Sequence, residues 1–156
     1  MTQSGSTQRS IAWMRDPQHF GQLLGETARL WRAALDRRLA PLGLSQAQWL
    51  VLLHVSRAED GLTQKELARA SGVEAPTMVG LLDRMARNGW VERIPCPSDR
   101  RSKLVHLTER AQGLIHQIEE ASQGLRAELL GGLSEAEIAC CQRVLGHLRL
   151  ELETLA

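Results

Sequence analysis

The 156 residues carry 19 basic and 18 acidic side chains, a formal net charge of +1, and a hydrophobic share of 43%. That length and composition describe one ordinary globular domain with apolar residues enough for a real core, and no apolar run nears the ~18 residues of a membrane span. Three cysteines, Cys96, Cys140 and Cys141, are too few for a disulfide framework, and no spaced Cys/His pairs offer a zinc site.

The near-neutral sum hides a segregation. Residues 62–110 carry nine basic and six acidic side chains, whereas residues 111–156 carry three and seven. An acidic C-terminal segment therefore masks a basic middle, and the whole-chain charge is a poor test for nucleic-acid binding. The polar start, MTQSGSTQRS, lacks the apolar stretch of a signal peptide. It reads as a disordered tail over residues 1–15, and the chain as a cytoplasmic protein without structural metal or cofactor.

From about Asp16 to Leu39 apolar residues recur at spacings of three and four, the period of an amphipathic helix that Pro41 and Gly43 end. Ser45-Gln46-Ala47-Gln48 is a capping box opening a second helix, to about Arg57. Its WLVLLHV is apolar nearly all round, which places it at the centre of the fold. Thr63-Gln64-Lys65-Glu66 is another capping box and starts a short helix to about Ala70, followed by a Ser71-Gly72 turn. Pro76 suits the first turn of the next helix, which runs to Arg87 and stops at Asn88-Gly89. WVERI (90–94) and KLVHL (103–107) alternate as strands do around the turn-rich PCPSDRRS. Thr108 is expected to cap a long helix to about Leu130, and Ser134 to Glu137 form a third capping box, opening a last helix to Leu155.

A short helix, a turn, a second helix and a β-hairpin make a winged helix-turn-helix. The expected fold is therefore mainly α, an α+β winged helix-turn-helix with long N- and C-terminal helices. A helix of ~10–12 Å diameter fits a major groove ~12 Å wide. In the second helix of the pair, Val79, Leu82, Met85 and Ala86 are expected to face the core. Thr77, Gly80, Arg84 and Arg87 then lie on the outer side, offering a hydroxyl, a bare backbone and two guanidinium groups. Arg100, Arg101 and Lys103 crowd the hairpin tip, with Asp99 placed to steer Arg101. The competing reading is a solvated helix and a solubilising loop.

LARASGVEAPTMVGLLDRMARNGWVERIPCPSDRRSKLVHLT resembles the core of the MarR family of bacterial transcription regulators. Its wing motif, Asp-x-Arg followed by a strand ending in Leu-Thr, is met by Asp99, Arg101 and Leu107-Thr108. ARLWRAALDRRLAPLGLSQAQWLVL and IPCPSDRRSKLVHLT most resemble the SlyA branch. The resemblance implies a homodimer held by helices within 16–40 and 109–156, reading a pseudo-palindromic double-stranded operator through residues 45–108. Family habit implies repression. Gly80 departs from the arginine that close SlyA-like relatives carry there, so their operator does not transfer. The apolar content of the terminal helices (Ile11, Trp13, Phe20, Leu23, then Ile138, Val144, Leu145, Leu148, Leu150, Leu152 and Leu155) also exceeds what a lone domain edge needs, unless these residues complete the monomer core.

The resemblance further implies a site for a small aromatic carboxylate or phenol, with candidate contacts at Arg29, Arg32, Trp49 and His54. Against it stands the plainer reading of Trp49 as core. Cys96, beside basic residues, is the candidate redox site, with Cys140 and Cys141 as a second candidate across a dimer. No phosphate-binding glycine loop, HExxH or GxSxG occurs, so an enzyme is not expected. The alternative function is a winged-helix module that binds a protein partner instead of DNA.

Overall fold

The computed structural model describes residues 14–96 and 102–155. Among the described residues the helices and strands follow one another as α1 (Phe20–Leu39), α2 (Gln46–Ser56), β1 (Leu62–Thr63), α3 (Gln64–Ser71), α4 (Ala75–Arg87), β2 (Val91–Pro95), β3 (Lys103–Leu107), α5 (Gln112–Leu130) and α6 (Glu135–Thr154). The expected winged helix-turn-helix is present: α3 and α4 are the helix pair, and β2 and β3 the wing.

All three capping boxes form. At Ser45, Thr63 and Ser134 the hydroxyl accepts from the third helical N–H, and the glutamine or glutamate there accepts from the cap's own N–H. Thr63 holds the Glu66 carboxyl below its ordinary pKa, through its backbone N–H first and its hydroxyl second. The stops are equally local. Gly43, Gly72 and Gly89 take left-handed conformations after α1, α3 and α4, where a glycine incurs no Cβ clash.

Helix α2 is the hub, as its all-round apolar character implies. Trp49, Val51, Leu52, Leu53 and Val55 are buried. Leu35 and Leu39 of α1 and Ile115, Ile118 and Leu125 of α5 belong to the same core cluster, as do Leu67 of α3, Leu82 and Met85 of α4, and Val105 of β3. Each such side chain contributes about 1.5–3 kcal/mol when fully removed from water.

Four local expectations are corrected. The core face of α4 is Met78, Leu81, Leu82 and Met85, at i, i+3, i+4 and i+7, whereas Val79 and Ala86 are exposed. A shift of one residue turns a helix by about 100°, so choosing Val79 over Met78 as the anchor rotated the assigned core face. The wing also carries a third strand: β1 pairs antiparallel with β3, giving the order β1-β3-β2. Two residues are too few to show alternation in a sequence. Thr108 does not cap a helix with its side chain; its hydroxyl donates to the Gly89 carbonyl at 2.5 Å, and a 3-10 turn (Glu109–Ala111) leads into α5. The helix expected from about Asp16 begins at Phe20, after a 3-10 turn (Pro17–His19) capped by Asp16.

Gly61 makes the entry to β1 possible. Its φ is +73°, and a Cβ there would lie 2.6 Å from the His106 ring and 2.9 Å from the Val105 carbonyl oxygen. Gly72 shares the left-handed conformation, at φ +63°, but has open space around it. Alanine at position 72 is therefore expected to cost about 1–2 kcal/mol, the conformational term alone. Alanine at position 61 should cost more, because the wing must also move. Urea unfolding of the two variants, compared with the parent, checks the order.

Candidate nucleic-acid interface

Helix α4 presents two outward stripes. Thr77, Arg84 and Arg87 are exposed along the outermost one, with Gly80 half-exposed between them. The Arg84 guanidinium folds back along the helix, so that a Cβ at Gly80 would sit 3.7 Å from its Nη1. That is ordinary contact, and the backbone of Gly80 does not adopt a positive φ. The fold itself therefore does not demand glycine here. Arg87 reaches back to the Asp83 carbonyl with its Nε, at a long 3.4 Å.

The second stripe faces the wing. Asp83 Oδ1 accepts from Arg93 Nη1 of β2 at 2.6 Å, tying the helix to the hairpin. Strand register explains why Arg93 can do this. Arg93 lies opposite Val105, and cross-strand partners point to one face of a sheet. Val105 is buried, so Arg93 is directed inward beneath α4, and its Nη2 is buried without a hydrogen-bond partner among the described residues. Lys103, paired with Pro95, is two residues from Val105 and on the same face. Lys103 is exposed at the mouth of the groove between α4, the start of α3 and the wing. That groove encloses about 510 Å³, and Lys65, Arg93, Lys103, Thr63, Gln64 and Val79 help to line it. No carboxylate lines it among the described residues.

Thr77, Gly80, Arg84 and Arg87 thus share the outer stripe of α4, and Lys103 lines the neighbouring groove that α4 enters through Val79. Asp99, Arg100 and Arg101 lie outside the described residues. The Cys96 N–H donates to the Ser102 carbonyl at 3.0 Å, which carries the hairpin one rung past β2 and β3; the Cys96 side chain is half-buried. Lys65 and Arg93 were missed by the sequence reading. Lys65 was legible as a cation in the first turn of the first helix of the helix-turn-helix pair. Arg93 became visible only with the strand register.

The four residues proposed for an aromatic anion divide. A cavity of about 290 Å³ opens between α1, α2 and α5, and Arg32 and Trp49 line it together with Trp31, Arg57, Ser122 and Arg126. Trp49 is only 1% exposed and donates its indole N–H to Asp36 Oδ1 at 3.0 Å, so it is core and its one polar group is already engaged. Arg29 does not line this cavity, and neither does His54. Five residues from Trp49, His54 lies about 140° around the helix, whereas Leu53 and Arg57 drift only about 40° per step of four. His54 instead meets the Ala70 backbone at the end of α3. Arg57, eight residues from Trp49, was therefore the legible choice. Cys140 and Cys141 are exposed on α6, with Arg143 Nη2 3.8 Å from the Cys140 sulfur. Among the described residues no group of three or more His, Cys, Asp or Glu side chains could hold a metal, and no helix is long and apolar enough to cross a membrane.

A helix pair, an exposed basic stripe on its second member and a cationic groove running to a wing define the winged helix-turn-helix class of regulator. A sequence profile of the MarR family matches residues 42–102. Among solved structures, transcriptional regulator PA3341 is 50% identical, with a TM-score of 0.81 over 86% of this chain and 98% of its own. MarR of E. coli in its apo form is 31% identical, with a TM-score of 0.65 over 82% of this chain and 94% of its own. CouR of Rhodococcus jostii RHA1, solved bound to p-coumaroyl-CoA, is 26% identical, with a TM-score of 0.72 over 83% of this chain and 90% of its own. The chain belongs to the MarR family of transcription regulators, and these relatives are regulators rather than enzymes.

Two measurements check this local chemistry. Burial lowers the pKa of His54 from 6.5, Arg57 lowers it further, and the bond to the Ala70 backbone opposes both. The folded chain thus holds fewer protons than the unfolded one, so stability should be full above pH 6.5 and fall as pH drops through that value. His54→Gln should flatten that decline in melting temperature. Gly80→Ala should raise stability by about 1 kcal/mol, because it removes a glycine from a helix interior without a clash.

Proposed function

We propose that this chain is a sequence-specific repressor that binds a pseudo-palindromic DNA operator as a homodimer and lets go when a small aromatic anion binds. The observation that carries the reading is the outer face of α4, where Thr77, Gly80, Arg84 and Arg87 stand clear of the core beside a groove lined by Lys65, Arg93 and Lys103. Thr77 and Arg84 act in the major groove. Arg87, Arg100 and Lys103 hold phosphates, and Arg101, oriented by Asp99, enters the minor groove. Its place of action is the cytoplasm, and among family branches we place it with SlyA.

Residues 45–108 form the reading unit and helices within 16–40 and 109–156 the dimer scaffold. Support comes from α6, which buries none of its residues within the chain. Leu145, Leu150 and Leu152 of α6 are exposed, as are Phe20, Leu24 and Leu30 of α1, an apolar surface of the kind that association covers. A helix of 20 residues spans ~30 Å, close to the ~34 Å between successive major-groove faces.

The effector enters between α1, α2 and α5. Arg32, Arg57 and Arg126 favour an anion there, and Trp31, Leu50 and Leu53 favour an apolar ring. An aromatic carboxylate or phenol fits that chemistry, and CouR, with its p-coumaroyl thioester, supports an aromatic acyl group as a second form. Such a ligand pushes the scaffold helices away from α2, on which α3 and α4 are packed.

Salt-dependent titration tests the DNA reading. Affinity for a duplex from upstream of the protein's own gene should fall steeply with salt, with a logarithmic slope near −0.9 for each phosphate neutralised, and exceed that for a scrambled duplex. Arg101→Ala and Arg84→Ala should each cost at least about 1 kcal/mol, whereas Lys103→Ala should weaken both duplexes alike and reduce the slope by about one. A flat salt response with no preference between duplexes would favour a protein-binding module instead.

A further inference from the structure

Val79 is the one large apolar side chain that α4 leaves exposed, at 41%. Within the chain it has no evident reason to be there. A β-branched residue is a poorer helix former than the long polar residues or alanine that commonly fill exposed helical positions. Its neighbour Gly80 is another poor helix former that the fold does not require. Both lie in the N-terminal half of α4, the part of such a helix that meets base edges.

Val79 also faces the groove in which Lys65, Arg93 and Lys103 gather. These cations suit a sugar–phosphate strand passing between α4 and the wing. A strand held there presents the major-groove edges of its bases to the flank of α4. Valine neither donates nor accepts a hydrogen bond, and the one apolar group on a major-groove edge is the 5-methyl of thymine. Gly80, with no side chain, lets the helix backbone come close enough for a short branched residue to touch it.

We propose that Val79 is a specificity-determining residue that selects thymine by van der Waals contact with its 5-methyl group. The proposal rests on the DNA-reading function above and goes beyond it, adding to the polar residues an apolar contact that discriminates between bases.

The test uses the full chain and duplexes it enriches from a random-sequence pool. Each thymine of the enriched site is replaced singly by deoxyuridine, which removes the methyl and keeps every hydrogen-bonding group. The parent protein should lose about fourfold in affinity at one symmetry-related thymine, the worth of one buried methyl group. Val79→Ala should bind the thymine and uracil duplexes equally, with its melting temperature reporting that the fold is retained. Uracil that is harmless at every position would overturn the proposal, as would a penalty equally large for the parent and the variant. In both cases an enriched site would leave the DNA reading standing. Failure to enrich any sequence would overturn the DNA reading and this proposal together.

Discussion

Everything in this molecule depends on covering one short helix on all sides. Helix α2 has no polar face in its central turns, so it is stable only when surrounded. Leu35 and Leu39 of α1 and Ile118 and Leu125 of α5 join its core cluster from the long helices, and Leu67, Leu82, Met85 and Val105 from the winged helix-turn-helix. The hydrogen bond from Trp49 to Asp36 fixes the orientation of the largest buried side chain within that arrangement. The long helices α1 and α5 and the winged helix-turn-helix therefore share one core.

The same constraint sorts the charges. With the apolar residues of α4 committed to α2 and its neighbours, the remaining positions fall into an outer stripe and a wing-facing stripe. Among the described residues the cations of the outer stripe have no ion-pair partner, and Arg87 makes only a long contact to a carbonyl. The wing-facing stripe spends its acid, Asp83, on orienting Arg93. Such a half-exposed pair adds little stability, about 0–1 kcal/mol. Its consequence is geometric: the wing strand and α4 share a fixed cationic groove.

Much of this was legible before any coordinates, and the reason is locality. Capping boxes at Ser45, Thr63 and Ser134 and stop signals at Gly43, Gly72 and Gly89 act within a turn of the chain, so sequence alone locates them. What was not legible depends on tertiary partners. Val79 and Met78 are both apolar neighbours, and only packing decides which turns inward. Arg93 acquires its inward direction from pairing with Val105 across eleven intervening residues, and β1 exists only because β3 is there to receive it. Thr108 carries the residue type of a cap yet finds the Gly89 carbonyl, far off in sequence. Of the aromatic-anion residues, Arg32 and Trp49 reach the cavity while Arg29 and His54 do not, a distinction set by helical phase and by elements that a linear pattern does not juxtapose.

In the proposed dimer two copies of α4 read two half-sites from one rigid scaffold. The measurement that meets it most directly is binding to an enriched duplex and to versions of it with the half-sites moved apart by half a turn, about 5 base pairs, and by a full turn, about 10. Two chains per duplex, with affinity lost at half a turn because the second reading helix then faces the wrong side of the DNA, is the expected result. One chain per duplex, or affinity indifferent to the spacing, would contradict it.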